Sequence, residues 1–295
     1  MTHIPVLLNE TLNVLSPTLG ESYLDLTAGY GGHAGAVLEL TSTYQKAVLV
    51  DRDQFAIDHL EDKFSKKHVR IIKDNFLNAT QSLKQEGLTF DLILADLGVS
   101  SPHLNIASRG FSFQSDGPLD MRMDQSGSLT AAVIVNEWSE AEISRILLEY
   151  GEERQFRLIA KNIVEGRPYK STHELAKKIE SSIGWRTKGH HPATQTFQAL
   201  RIAVNGELEL LEAMIPGALK LLNPGGRFAI ITFHSLEDRI VKRAFNDACS
   251  TGYDAEYQHI TKKPLTSTHT ELVTNPRARS AKLRALVKIK TKKGP

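Results

Sequence analysis

Short aliphatic and β-branched runs recur early in the chain, at residues 22–26, 47–50, 69–72 and 90–95. Each is too short for a helix and is followed by a helical pattern, the spacing of repeated strand–helix units. Between the second and third runs Ala56, Leu60 and Phe64 recur every four residues, the stripe of a helix packed on a sheet. Leu8, Leu12 and Leu15 predict a short helix ahead of the first run, ended by Pro17. Four such units predict a parallel sheet with helices on both faces, because right-handed crossovers place them there.

The pattern changes over residues 105–205, where no strand-like run occurs. This segment opens with a long loop, RGFSFQSDGPLDMRMD (residues 109–124), and continues as helical patterns. Ser139 and Glu142 have capping-box spacing ahead of Ile143, Ile146 and Leu147, and residues 155–165, 173–182 and 193–204 are further helix candidates. The α/β pattern then resumes with a helix over 207–222, an Asn223-Pro224-Gly225-Gly226 turn, a strand over 227–233, a helix over 235–248 and a late strand over 283–289. The predicted architecture is a discontinuous α/β domain, residues 1–104 and 206–295, interrupted by a helical insertion domain, residues 105–205.

With 295 residues and 41% hydrophobic content, the chain can bury a substantial core. No apolar run approaches the roughly 18 residues of a membrane span, so the expectation is a cytoplasmic protein with no membrane partner. The single cysteine, Cys249, excludes an internal disulfide and a cysteine-cluster zinc site, and the eleven histidines form no H-E-x-x-H pattern. No metal is expected. The formal charge of +2 conceals an asymmetry: residues 261–295 hold ten lysines and arginines against one acid, Glu271, so the first 260 residues are net acidic. That distribution predicts a polyanion gripped from the C-terminal side through phosphate contacts.

The stretch LDLTAGYGGHAG (residues 24–35) places Gly29, Gly31 and Ala34 on the spacing G-x-G-x-x-G/A, between a predicted strand and a helix. Asp51 ends the second strand, where a carboxylate accepts hydrogen bonds from ribose hydroxyls of NAD and of S-adenosylmethionine alike. Asp25, beside the turn, would repel a pyrophosphate and attract the ammonium and sulfonium of a methyl donor. Asp74-Asn75-Phe76 follows the third strand with polar edges and an aromatic ring for an adenine. Asp96-Leu97-Gly98-Val99-Ser100-Ser101-Pro102 follows the fourth, so the polar candidates gather at the C-terminal edge where doubly wound sheets bind ligands.

Methyl transfer through a pyrimidine carbon needs a cysteine thiolate, and Cys249 lies in a late helix outside any Pro-Cys loop. An exocyclic amine needs only acceptors for its N–H groups, which Asp96, the carbonyls after it and the Ser100 and Ser101 hydroxyls offer. A nucleobase amine would have to be splayed or flipped into the pocket. Phe111 and Phe113, flanked by Arg109 and Arg122, offer aromatic faces and phosphate partners; the alternative is an ordered loop with both rings in the core. His234, at a strand end, either faces substrate or lies beside a helix capped by Ser235 with Asp238 at its third position.

Eight segments then form a longer pattern: HIPVLLNE (3–10), GGH (31–33), DLGVSSP (96–102), the 109–124 loop, YGEER (150–154), HPATQTFQALRIAVN (191–205), FHSLEDRIVKR (233–243) and NPRARSAKLR (275–284). Together they closely resemble the ribosomal RNA small subunit methyltransferase H family, bacterial 16S ribosomal RNA cytosine-N4 methyltransferases. The resemblance implies S-adenosylmethionine as cofactor, S-adenosylhomocysteine as product, and N4 of a cytidine in the decoding centre of the small ribosomal subunit as target. It implies an α/β, Rossmann-like class I methyltransferase fold with a helical inserted domain. Cofactor positions fall on Gly31, Gly32, His33, Asp51, Phe76, Asp96 and His103, the last often glutamine in the family. Arg277, Arg279 and Arg284 join Arg109, Phe111, Phe113, Arg122 and His234 as candidate RNA contacts. The oligomeric state stays open, a homodimer included. An NAD oxidoreductase and a non-catalytic RNA-binding module are the competing readings, separable by NADH affinity and by RNA binding without transfer.

Overall fold

The computed structural model describes residues 5–99, 104–185, 191–249 and 255–290. The chain divides into two compact units, Met1–Gly98 with Leu208–Pro295, and Val99–Glu207, where the pattern predicts breaks after 104 and 205. The first unit begins with α1 (Leu8–Leu15), β1 (Tyr23–Asp25), α2 (Gly32–Thr41), β2 (Ala47–Asp51), α3 (Gln54–Phe64), β3 (Arg70–Lys73), α4 (Phe76–Gln85) and β4 (Phe90–Asp96). The second unit contains α5 (Ala131–Glu137), α6 (Glu140–Glu149), α7 (Phe156–Glu165), α8 (Thr172–Ile183) and α9 (Thr194–Asn205). The first unit resumes through α10 (Glu207–Lys220), β5 (Leu222–Thr232), α11 (Ser235–Ala248), β6 (Tyr257–His259), β7 (Leu265–Thr266), α12 (His269–Thr274) and β8 (Lys282–Lys288).

The strands form one sheet in the order β3-β2-β1-β4-β5-β8-β6, with β7 also on β8. The first five pair in parallel, the doubly wound order 3-2-1-4-5, and β8 runs antiparallel to β5, β6 and β7. Successive side chains alternate between the two faces of the sheet, as the two-residue period requires. Leu24, Val48, Val50, Ile93, Ala95, Phe228 and Ile230 belong to one apolar cluster, and Tyr23, Ala47, Leu49, Leu92, Leu94, Ala229 and Ile231 to the other. Each fully buried leucine contributes about 1.5–3 kcal/mol, so the central strands read as continuous apolar runs because both faces are covered.

Three features depart from the sequence pattern. β5 starts at Leu222, and its pairing with β4 shifts register opposite Phe90 and Leu92, so the expected turn is an irregular opening of the strand. β6 and β7, three and two residues long, are too short for alternation to announce them. Part of the basic C-terminal segment is built into the sheet: β8 lies between β5 and β6, and buried Lys288 donates from Nζ to the Leu222 carbonyl at 2.7 Å. Early and late residues are tied within this unit. The Leu7 N–H donates to Glu271 Oε1 at 2.7 Å, while Arg227 binds the Leu15 and Ser16 carbonyls and both carboxylate oxygens of Glu21.

The second unit packs α5 to α9 on a core that includes Met121, Ile134, Ile143, Leu147, Ile159, Ile163, Ile179 and Leu200. Capping boxes start α6 at Ser139 with Glu142 and α8 at Ser171 with Glu174. The 109–124 loop is built into this core. Asn205 receives the Met123 N–H at 2.9 Å and donates to the Met121 carbonyl at 2.8 Å, tying the loop to the end of α9. Among the described residues no helix is long and apolar enough to cross a membrane.

Gly110 has φ +71°, and a Cβ there would stand 2.0 Å from the Pro118 carbonyl oxygen. Gly110→Ala therefore combines left-handed strain with a backbone collision and should cost about 3 kcal/mol or more in urea denaturation of the full chain.

Candidate functional site

Three carboxylates stand at the C-terminal ends of neighbouring parallel strands: Asp25 on β1, Asp51 on β2 and Asp96 on β4. The glycine turn follows β1. Gly31 is the left-handed N-cap of α2 with φ 67°, and a Cβ on it would lie 2.9 Å from the Phe64 ring. A Cβ on Gly32 would lie 2.5 Å from Pro5 Cγ, so the turn passes closely between α3 and the N-terminal segment. Asp51 fixes the turn from the neighbouring strand, accepting the Gly29 N–H at 2.8 Å on one oxygen and the Asp53 N–H at 2.9 Å on the other. Phe76 opens α4 half-buried beside the apolar core, and Asn75 serves as that helix's N-cap.

His33 is buried on the first turn of α2. Its Nε2 lies 3.0 Å from the Val6 carbonyl; because a carbonyl only accepts, Nε2 carries the hydrogen. Nδ1 then presents a lone pair 3.5 Å from Asp96 Oδ2. The Asp96 side chain as a whole keeps 21% exposure, yet its Oδ1 is buried without a hydrogen-bond partner among the described residues. Burial raises the proton affinity of Asp96 well above the usual carboxylate range, and the negative charges of Asp25 and Glu237 raise it further.

Asp25 is more deeply buried than the sequence suggested. Its oxygens accept the Tyr23 hydroxyl at 2.7 Å and the Thr27 N–H at 3.2 Å, and burial pushes its pKa up to about 7 despite those bonds, with Asp51 adding to the rise. The expected attraction of a cation by Asp25 alone is thus corrected: the acidic edge as a whole carries that preference.

The other expected positions divide clearly. His234, not Ser235, caps α11: its Nδ1 accepts the Glu237 N–H at 3.4 Å, and Glu237 Oε2 accepts the Phe233 and His234 N–H groups at 2.7 and 3.3 Å. Its Nε2 lies 3.1 Å from Glu237 Oε1, so this ring serves the helix start. Asp238, expected inside the cap, instead pairs with Arg284 at 2.7 Å and Lys282 at 3.1 Å. Arg284 is buried in that pair, which corrects its assignment to RNA, whereas Arg277 and Arg279 are exposed.

In the second unit Arg109 is buried and donates from Nη2 to the Arg122 and Met123 carbonyls, both at 3.0 Å. Arg122 forms a two-pronged pair with Asp120 and also binds the Gln125 and Gly127 carbonyls. Both guanidinium groups hold the loop together. Phe111 is a core residue; Phe113, half-buried, lies with its ring centroid 4.4 Å from that of His191. Ser100, Ser101 and His103 lie outside the described residues. Sequence reasoning missed the His33–Asp96 pair, whose members are 63 positions apart and are joined by strand order rather than by any local spacing.

Residues 1–289 match the MraW methylase family. The chain is 44% identical over 307 aligned positions to the ribosomal RNA small subunit methyltransferase H of Symbiobacterium thermophilum, covering 97% of this chain and 96% of the relative. The protein of the same name from Heliobacterium mobile is 45% identical, covering 97% and 99%. That of Synechococcus elongatus is 46% identical, covering 96% and 93%.

Folded Asp25 holds its proton to about pH 7, while an unfolded aspartate releases it near 3.8. Between those values the native state binds more protons, so this group's contribution to stability declines as pH rises. Thermal denaturation across this window should show a shallower decline in Asp25→Asn than in the parent; Asp96, shifted in the same direction, sustains part of the slope in both.

Proposed function

The chain belongs to the MraW methylase family, and from that premise we propose that it is an S-adenosylmethionine-dependent methyltransferase acting on N4 of a cytidine in the decoding centre of 16S ribosomal RNA. The observation that carries the chemistry is Asp96 Oδ1, a buried carboxyl oxygen at the end of β4 with no hydrogen-bond partner among the described residues. Leaving such an acceptor unbonded costs about 1–3 kcal/mol, which a donor from substrate recovers. When bound, S-adenosylmethionine supplies a methyl group on a positively charged sulfur. The Gly31–Gly32 turn and Asp51 would hold its amino-acid and ribose portions, and Phe76 its adenine.

Asp96 accepts an N4–H of the target cytosine, which orients the amine and draws its lone pair away from the ring as the new bond forms. The position of Cys249 supports nitrogen rather than ring carbon as the acceptor. It is the C-cap of α11, and burial pushes its thiol up to about 11, the reverse of what a thiolate nucleophile requires.

Transfer of labelled methyl groups to unmodified small ribosomal subunits, followed by nucleoside mass analysis, tests this reading. The parent should yield N4-methylated cytidine, and Asp96→Ala, folded by circular dichroism, should lose on the order of a hundredfold in rate or more. Methylation at a ring carbon or a ribose, or full activity in Asp96→Ala, would overturn it.

Arg277 and Arg279, exposed in the turn before β8, are cations suited to phosphate contact. Replacing both by alanine should weaken RNA binding and lower the slope of log affinity against log salt by about two, as measured by filter binding.

A further inference from the structure

His33 is attached at both nitrogens. Its Nε2–H is fixed on the Val6 carbonyl at 3.0 Å, so the ring cannot turn over without breaking that bond, and its Nδ1 lies 3.5 Å from Asp96 Oδ2. Pro5, against Gly32, and Val6 hold this arrangement from the N-terminal segment. Asp96 thus has two unlike oxygens: Oδ2 toward a base and Oδ1 toward no described group. The charged or titratable groups facing it are Asp25 and Tyr23 from β1, His33 from α2 and Glu237 from α11. Two of these are acids and one a phenol; His33 is the neighbouring base.

Resting on the reading of Asp96 as the amine acceptor, we infer that His33 is the final proton acceptor of methyl transfer, acting through Asp96 as a two-oxygen relay. Before the step, one proton lies between Asp96 Oδ2 and His33 Nδ1. N4 forms its bond to the methyl carbon as the carbon–sulfur bond breaks, the bonding pair staying on sulfur. N4 gives one proton to Asp96 Oδ1, and the proton on the other oxygen passes wholly to His33 Nδ1. Afterwards Asp96 is a neutral carboxylic acid and His33 an imidazolium, so the positive charge that began on sulfur ends on the histidine ring. The proton leaves to solvent after the products do. The relay explains how a carboxyl whose burial and acidic neighbours favour its protonated form still takes up a proton: it passes one on as it receives one. His33 is a positioning residue in this scheme and touches the reacting amine through Asp96.

Nitrogen-15 NMR of the histidine-labelled full chain without cofactor, with the signals assigned by His33→Gln, reads the pair directly. His33 should show the Nε2–H tautomer, with an Nδ1 resonance displaced from the free-acceptor position in the parent and returned to it in Asp96→Asn. With S-adenosylmethionine at saturating concentration, His33→Gln should slow single-turnover transfer by roughly a hundredfold, the usual range for a lost proton-transfer partner. An Nδ1–H tautomer, or loss of cofactor affinity at an unchanged rate, would overturn the inference. So would a parent-like rate in His33→Gln beside an inactive Asp96→Ala, and that outcome leaves the role of Asp96 standing. Activity in Asp96→Ala removes both.

Discussion

Helices cover both faces of the five parallel strands, and this double burial governs where chemistry can occur. Leu24, Val50, Ile93 and Phe228 face one helical layer while Leu49, Leu92, Leu94 and Ile231 face the other, leaving no room for an unpaired polar group along the strands. Polar side chains are therefore displaced to the strand ends. Asp25, Asp51 and Asp96 occupy that boundary, and the glycine turn gives it a backbone able to pass closely between α3 and the N-terminal segment. The acidity of the edge and its partial dehydration have the same origin, since the sheet that places the carboxyls there also shields them from water.

Much of this was legible in the sequence. Every parallel strand announced itself as a short apolar run, and the capping box at Ser139 started a helix where the spacing required. Asp51, Asp96 and the turn were placed at a common edge by counting strands. What escaped was pairing between distant groups. The chain contains many histidines and carboxylates, and nothing local indicates that His33 meets Asp96 or that Arg284 meets Asp238. The arginines show the same limit from the other side. Arg109, Arg122 and Arg284 looked like phosphate partners by residue type, but each is bonded to carbonyls or a carboxylate inside its own unit. Formal charge counts side chains; only the fold decides which of them reach solvent.

The helix starting after His234 shows how a small error of reading propagates. Moving the cap from Ser235 to His234 moves its acidic partner from Asp238 to Glu237. Asp238 is thereby released to bind β8, and Glu237 contributes its charge to the surroundings of Asp96. A one-residue displacement in a helix start thus alters both the lining of the candidate site and the anchoring of the last strand.

The bond between the Leu7 N–H and Glu271 Oε1 spans nearly the whole chain, and β8, laid beside β5, is the last strand to be made. During synthesis the helical unit of residues 99–207 emerges entire while its host sheet still lacks an edge and a partner for its first helix. The ribosome-bound chain is expected to have its whole inserted unit available before β8 can be laid beside β5. Translation order then sets the order of assembly: the inserted unit has all its residues before the sheet of the first unit has all its strands.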